Sequence, residues 1–585
     1  MRVGRRHWRL VTAALAVMAL AACGGSKSDA GITPPVIAKT CGSGGTLQLS
    51  TLHAATVACS AGTDLTLQGG GASYLIVPQF ATGSVVSRTT AYNIGVVGGA
   101  TSDLTATSGP LLSVAPTITG QIPPAGIRRH ARQQAFDAFL MEQARAMVAS
   151  GTWRSASRSI TPGAGPARAS VPDPGSVRQF QVLASQNGGA YTAVDARLAY
   201  VGDNILLYVD TLAPANGFTP AQLTAFGGLF DKTLFPIDTA AFGVPSDVDQ
   251  NGHVIMLLSP VVNSLTPSSS CESDGFIAGF FASGDLSASS SNSNHGEVFY
   301  GLVPDPSGTA SCSHSVAELI EDTPTFLHEF QHMISFSQHV VLHSGPPERT
   351  FLDEGLSTVA EELGSLYYED RFPPPTGRTN PAQLFPDSAE GFINDPLVDS
   401  YEYLLNTPVT SATLHPAIGA GVENYGADWL LVRYIGDQKG QAIFKKLEQS
   451  NLTGTANIAN AAGEPFESLF GDFSLALYTD SLPGIAKSAI PPRNKYARRN
   501  LRQMYQRLYD TSQPSSFFPR PFPIVVRPLS GTISASMLPG TMTFYRLDTA
   551  TGQGDVTVRF EASPGVALND LLQPQLSIFR LPPGT

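Results

Sequence analysis

The stretch TFLHEFQHMISF, residues 325–336, decides how the rest of the chain is interpreted. Thr323 and Pro324 directly before it supply a helix N-cap and a proline for the first turn. Its apolar residues recur at helical spacing and would form a core face: Phe326, Phe330, Met333 and Ile334. The stretch therefore predicts an amphipathic helix, and the question is what its two histidines do.

His328 and His332 project from one side of this helix at adjacent turns, close enough to share a metal ion. Neutral imidazole suits zinc, and Glu329 can reach a metal-bound water without ligating the metal. An H-E-x-x-H sequence thus supplies two zinc ligands and a general base within one turn. An ordinary amphipathic helix gives no reason for two histidines beside its core stripe. We therefore predict one catalytic Zn²⁺ with Glu329 as the base.

A catalytic zinc also needs a third protein ligand and an open position for water. Glu354, in FLDEGLSTVAEEL, follows His332 by 22 residues on a second amphipathic helix that can fold back antiparallel to the first. His339 and His343 are rival ligands. Metzincins place their third histidine six residues after the second, however, whereas His339 is seven after His332. We predict that His328, His332 and Glu354 bind the metal.

These motifs resemble those of the hyicolysin-type zinc metallopeptidases, in the gluzincin group. The resemblance extends to RLAYVGDNILLYVDTLAPANGFTPAQL, GEVFY and NYGADWLLVRYIGDQKG, and it covers about residues 176–505. It implies a zincin-like domain, a mixed sheet with active-site helices. It also implies zinc ligation by His328, His332 and Glu354, with Glu329 as the catalytic acid and base that hydrolyses peptide bonds.

The resemblance leaves two supporting roles open. Relatives usually read N-E-G-L-S where this chain has Asp353, and thermolysin-like gluzincins orient a ligand histidine with an Asp four residues after the ligand Glu. That position is Thr358 here, so Glu361 or Ser357 is left for the role. Tyr425 is a candidate donor to the oxyanion, because aminopeptidase-like gluzincins use a tyrosine in a similar segment. A packed tyrosine at a helix start explains it equally well.

The first 22 residues predict an export signal. An arginine-rich start precedes LVTAALAVMALAA, a run too short to span a membrane comfortably, and LAAC ends at Cys23. This resembles a bacterial lipoprotein signal that leaves Cys23 lipidated and the protein anchored to a membrane; the alternative is a plain secretory signal with a chance cysteine. Both predict an exported protein, either a cell-envelope lipoprotein at the outer membrane or cell surface, or a secreted one.

We predict an α+β fold in which a zincin-like peptidase domain is flanked by small β domains. Short apolar runs separated by glycine-rich turns indicate the β domains, and a helical period followed by a Gly, Pro, Ser and Arg stretch indicates a helix and linker. The predicted boundaries are signal peptide 1–22, tether 23–40, N-terminal β domain 41–119, helix and flexible linker 120–175, peptidase domain 176–510 and C-terminal β domain 511–585.

The remaining cysteines predict disulfides, since an exported protein meets an oxidising environment. Nearest-neighbour pairing would join Cys41 to Cys59 and Cys271 to Cys312.

The stretch DVDQNGH, residues 247–253, begins like a calcium loop, but the twelfth position of that template is Leu258 where Glu is needed. We predict a turn held by its own Asp and Asn side chains, and Ca²⁺ remains an unsupported alternative.

The net charge and the motifs together limit the functions that the protein can have. A net charge of −11 argues against nucleic-acid binding and leaves protein or peptide substrates as the partners. The leading prediction is an exported zinc endopeptidase. A zinc aminopeptidase would need an acidic pocket for the substrate amine, and no G-x-M-E-N-type stretch is present. A catalytically dead surface adhesion or scaffold protein is the alternative from another class, and the intact H-E-x-x-H and Glu354 argue against it.

Overall fold

A computed structural model gives the protein as a mixed α+β structure built on three sheets. It describes residues 40–83, 88–97, 130–153, 171–271, 275–371, 387–415, 421–512, 517–583 and 585. The predicted signal peptide, Cys23, the tether up to residue 39 and the linker residues 154–170 lie outside the described residues. The described elements belong to one compact unit, Ile37–Thr585.

The elements are numbered in chain order. The strands are β1 (Thr46–Leu47), β2 (Ala54–Ala58), β3 (Asp64–Leu67), β4 (Ser73–Phe80), β5 (Thr90–Val97), β6 (Val177–Leu183), β7 (Tyr191–Val201), β8 (Ile205–Asp210), β9 (Val254–Leu258), β10 (Gly279–Phe281), β11 (Val298–Gly301), β12 (Val526–Pro528), β13 (Thr532–Met537), β14 (Phe544–Asp548), β15 (Val556–Glu561) and β16 (Pro574–Leu581). The α-helices are α1 (His130–Ala149), α2 (Pro220–Leu229), α3 (Phe235–Ala241), α4 (Pro260–Asn263), α5 (Val316–Glu321), α6 (Pro324–Phe336), α7 (Thr350–Arg371), α8 (Asp387–Leu405), α9 (Val422–Lys439), α10 (Ala442–Glu448), α11 (Gly454–Ala462), α12 (Phe466–Thr479) and α13 (Leu501–Ser512).

A mixed sheet of strand order β10-β11-β9-β8-β7-β6 supports the helices that carry the H-E-x-x-H motif. Strands β8, β9 and β11 run parallel, and the outer strands pair antiparallel. All five residues of β9, VIMLL, are buried, as expected for a strand covered on both faces. Strand β10 forms one edge of this sheet and packs against α6, so the sheet edge borders the H-E-x-x-H motif.

The helices pack in layers behind this edge. Helix α7 lies against α6, and α9 packs against both α7 and α8. Glu362 of α7 accepts hydrogen bonds from Trp429 of α9 at 3.1 Å and from Arg499 at 2.7 Å, all three in the interior. The sequence predicts one helix over about residues 424–450. The structure divides it into α9 and α10 at Gly440, where a φ of 81° and a ψ of 156° leave the helical conformation in a way that favours glycine.

The two predicted β domains are wrong as separate units, because the N-terminal and C-terminal strands share two sheets. One sheet has the order β1-β3-β15-β5-β13 and the other β12-β14-β4-β16-β2. Side chains from both sheets meet in a common core that includes Ile76, Ile94, Val558 and Ile578. The other face of the second sheet packs on the helices, where Leu75 and Phe579 join the main core. Local patterns located the strands but carried no information on partners from opposite ends of the chain.

The cysteines pair as nearest neighbours. Cys41 is bonded to Cys59, and Cys271 to Cys312. The first bond joins the segment before β1 to the residue after β2, and the second joins the loop before β10 to the loop before α5.

Among the helices described, none is long and apolar enough to cross a membrane.

Candidate metal centre

Helix α6 holds the two motif histidines and their glutamate inside the protein. His328, Glu329 and His332 are all buried, and the two imidazole rings lie 4.8 Å apart between their centres. The predicted core face is present as well: Phe326, Phe330, Met333 and Ile334 are buried in the main core. The helical spacing of the apolar residues thus fixes the direction in which the histidines point.

Helix α7 brings Glu354 to the same point. Its carboxylate Oε2 lies 3.3 Å from His328 Nε2 and 3.6 Å from His332 Nε2, and one ligand atom from each of the three residues lies within 4.8 Å of the others. Within the described part of the chain, both imidazole nitrogens of His332 and both carboxylate oxygens of Glu354 are buried without a hydrogen-bond partner. Buried polar atoms rarely lack partners, so this group fits a bound cation. Two imidazoles and a carboxylate are a zinc ligand set.

Two acidic residues of α7 flank the histidines from behind. Glu361 Oε1 lies 2.7 Å from His328 Nδ1, and Asp353 Oδ1 lies 3.6 Å from His332 Nδ1. A proton held on His328 Nδ1 by Glu361 leaves Nε2 with its lone pair directed at Glu354. Of the two residues that the sequence left open for this role, Glu361 contacts Nδ1. The Ser357 hydroxyl lies 3.3 Å from Nε2 and donates to the Glu354 carbonyl.

The buried charges set the protonation tendencies of the site. Burial raises the pKa of Glu329, and the neighbouring His332 and His328 only partly offset this. Burial would also raise the pKa of Glu354, but the neighbouring His332 and His328 lower it overall. Glu354 is therefore an anion suited to a cation, whereas Glu329 has the greater affinity for a proton.

The rival ligands lie elsewhere. His339 is buried in the π-helical turn after α6, and its Nε2 lies 3.7 Å from both Glu348 and Glu448. His343 Nδ1 lies 2.6 Å from the carbonyl of Gln338. Neither histidine joins the group formed by His328, His332 and Glu354. This arrangement agrees with the choice of Glu354 over these two histidines.

Helix α1 contributes residues that the sequence did not assign to the site. Gln133 Nε2 donates to both carboxylate oxygens of Asp137, at 2.9 and 3.1 Å, and lies 3.3 Å from Glu329 Oε1. Asp137 is 3% exposed, and one of its oxygens lies within 4.8 Å of ligand atoms of His328 and Glu329. Burial and then the carboxylates of Glu329 and Glu354 raise the pKa of Asp137. The sequence signal that could have identified them is an amide and an acid, Gln133 and Asp137, four residues apart beside the apolar stripe of a predicted helix.

Tyr425 borders the same site. Its ring stacks at 6.3 Å from that of His328, and its hydroxyl donates to the backbone carbonyl of Gln134 in α1 at 3.2 Å. Burial and then the carboxylate of Glu354 raise the pKa of Tyr425 well above its ordinary value, so the hydroxyl keeps its proton and can donate it in a hydrogen bond. Because that donor is directed at α1 in this structure, its role toward an oxyanion remains a prediction.

The DVDQNGH turn lies apart from this centre. Asp247 accepts a bond from the Gly252 amide at 3.1 Å, and Asp249 accepts from the Asn251 amide at 3.1 Å and its side chain at 2.8 Å. The predicted self-stabilised turn is confirmed. Carboxylate oxygens of Asp247, Asp249 and Glu297 also come within 4.8 Å of one another, and Ca²⁺ at this turn stays an untested alternative.

Comparison with known proteins gives a distant relative and a weak structural match. No protein-family model matches the chain. The chain is 25% identical over 346 residues to the neutral metalloprotease ShpI of Staphylococcus hyicus, covering 57% of this chain and 69% of the relative. A solved structure, the M1 zinc metallopeptidase of Deinococcus radiodurans, matches with 12% identity and a TM-score of 0.23 over 56% of this chain and 53% of that one, which is too low to bear on the fold. The distant homology to a neutral metalloprotease supports a metallopeptidase.

Proposed function

We propose that the protein is an exported zinc endopeptidase of the hyicolysin type, with a zincin-like catalytic domain. The observation that carries the proposal is the convergence of His328, His332 and Glu354, with buried unpartnered ligand atoms, directly beside Glu329. The distant similarity to a neutral metalloprotease supports the same class of reaction. Protein or peptide chains are the proposed substrates.

In the proposed reaction, Zn²⁺ held by these three residues would polarise the scissile carbonyl and acidify a water molecule. Glu329 accepts the proton of that water, for which its raised pKa suits it, and then delivers the proton to the leaving amine. Glu361, 2.7 Å from Nδ1, keeps the His328 ring oriented, and the Asp353 carboxylate lies 3.6 Å from Nδ1 of His332. The amide of Phe281 donates to Glu329 Oε2 at 3.0 Å and so fixes the base at the edge of the sheet.

Export and anchoring are proposed on the N-terminal sequence. The arginine-rich start, the apolar run and LAAC at Cys23 support a lipoprotein signal, so the protein would be attached to the cell envelope or, with a plain signal, secreted. The disulfides Cys41–Cys59 and Cys271–Cys312 are consistent with an oxidising compartment.

The test compares the wild-type protein with Glu329→Ala for zinc content and casein cleavage. We expect about one zinc per chain in both proteins, and a loss of cleavage in the variant of about 10²–10⁴-fold, the usual contribution of a general base. Asp370→Asn, an exposed acid on α7, is the matched control and should keep both properties. Equal cleavage by wild type and Glu329→Ala would overturn the mechanism, and a wild type unable to hold zinc would overturn the ligand set.

A further inference from the structure

Helix α1 crosses the cleft in front of the metal centre. One cavity beside it is lined by Gln134, His328 and Tyr425, and another by Leu140, Met141 and His332. Asp137 and Glu329 line both cavities. The helix therefore divides a single cleft at the point where the base and the ligand group lie, and a substrate reaching Glu329 would need that space.

The side chain of Gln133 in α1 also forms hydrogen bonds with backbone groups at the edge of the sheet. Gln133 Nε2 donates to the carbonyl of Gly279 at 2.7 Å, and Gln133 Oε1 accepts from the amide of Ala278 at 2.7 Å. An extended peptide added to an exposed sheet edge makes this kind of backbone contact. Gln133 thus satisfies, with one side-chain amide, backbone groups that a peptide chain would otherwise use.

Much of the contact between α1 and the cleft is polar. Gln134 Nε2 lies 3.4 Å from Asp399, and Arg145 donates to the carbonyl of Glu348 at 3.0 Å. Asp137 stands among the carboxylates of Glu329 and Glu354, where like charges oppose one another. Phe136 packs edge-on against Phe280 at 5.4 Å, and Leu140 and Ala144 add apolar contacts further along the helix. Water or a substrate backbone can replace most of the polar contacts when the helix leaves.

We propose that α1 is an inhibitory segment built into the chain, which occupies the substrate cleft with Asp137 placed against the zinc site and must leave before a peptide can bind. This inference rests on the proposed function, because it assigns α1 to the cleft of a zinc peptidase. The Tyr425 hydroxyl, bonded to Gln134 of α1, is released by the same movement. If the open form makes up about 1–10% of the molecules, apparent affinity for a cleft ligand falls by about 10–100-fold.

The test measures binding of a zinc-chelating dipeptide, Leu-Gly hydroxamate, to the zinc-loaded full chain. Asp137→Ala removes the carboxylate from the site, and Ala135→Ser changes an exposed residue of the same helix. We expect Asp137→Ala to bind the hydroxamate at least about 10-fold more tightly than wild type, and Ala135→Ser to match wild type. Asp137→Asn, of the same shape, serves if the alanine variant does not fold, and it should also bind more tightly.

A second readout follows the helix itself. Saturating hydroxamate should increase amide hydrogen exchange over residues 130–149 in the wild-type protein, because the helix leaves the cleft when the ligand enters. Equal affinities of wild type and the Asp137 variants, or hydroxamate binding with unchanged exchange in these amides, would overturn the proposal. Metal analysis before the hydroxamate is added separates this from failure of the zinc assignment, since a zinc-free wild type overturns the proposed function itself.

Discussion

The histidines of the proposed metal centre contact acids that lie outside the proposed ligand set. Glu361 lies 2.7 Å from His328 Nδ1 and is itself mostly buried, so it holds the ring and favours the tautomer with a free Nε2. Burial would lower the pKa of His328, but Glu354 and Glu361 raise it to about 10, so zinc must displace the Nε2 proton in order to bind there. A carboxylate placed in this way strengthens the histidine as a ligand.

We therefore expect Glu361→Gln to weaken zinc binding about 10–100-fold, since partners of ligand histidines usually contribute that much. Competition with a zinc chelator of known affinity measures the change. Asp370→Asn, on the same helix but with an exposed side chain, should leave zinc affinity at the wild-type value. An unchanged affinity in Glu361→Gln would show that Glu361 does not orient the ligand.

At the scale of single residues, the sequence predicted those candidate site residues that lie close together along the chain. His328, Glu329 and His332 are close along one helix, and Glu354 follows within a short loop and turn. Gln133 and Asp137 could not be placed in the same way. They reach Glu329 from nearly two hundred residues earlier in the chain, and only the packing of α1 into the cleft brings them there.

The helices behind the metal centre approach closely because glycines replace side chains at their crossings. Gly426 of α9 lies against the backbone of Asp399 and Ser400 in α8, so that an added Cβ would fall inside these atoms. Among the described residues, no atom lies within 4 Å of a Cβ added to Gly391, near the start of α8. The two glycines therefore differ in packing, although both are helical.

We expect Gly426→Ala to lower the free energy of unfolding by about 1–3 kcal/mol, because the helices must separate to admit the methyl group. Gly391→Ala should raise it by about 0.4–1 kcal/mol, because the unfolded chain loses conformational freedom at no steric cost. Urea unfolding followed by circular dichroism checks both values. Destabilisation of the same size in both variants would contradict the close crossing of α8 and α9.

Helix positions followed well from sequence, and helix ends less well. The apolar residues that recur at helical spacing in α6 and α7 lie in the main core, so their period predicted these two helices closely. The break between α9 and α10 was missed, since Gly440 adopts a left-handed φ that the apolar period around it does not reveal.

At the scale of the whole molecule, the chain returns at its end to complete the sheets that it began. Strand β15 lies between β3 and β5, and β16 lies between β4 and β2. The register of β16 on β4 runs from Pro574 opposite Phe80 to Leu581 opposite Ser73. The sequence showed strands at both ends of the chain, but partners so far apart leave no local pattern to predict from.

We expect a chain truncated after Ser512 to fail to fold its N-terminal strands, because β3 and β5, and likewise β2 and β4, would each lose the strand between them. Size-exclusion chromatography should show aggregation, driven by unpaired strand edges and exposed core residues such as Ile76 and Ile94. A monodisperse truncated protein with unchanged strand content would contradict the shared sandwich.

The most direct measurement of the metal assignment is anomalous diffraction at the zinc edge from crystals of the full-length protein. We predict one strong peak at ordinary zinc–ligand distances, about 2.0–2.2 Å, from His328 Nε2, His332 Nε2 and a Glu354 oxygen. No peak at this position in crystals that contain zinc, or a peak only at Asp247, Asp249 and Glu297, would contradict the metal centre proposed for this protein.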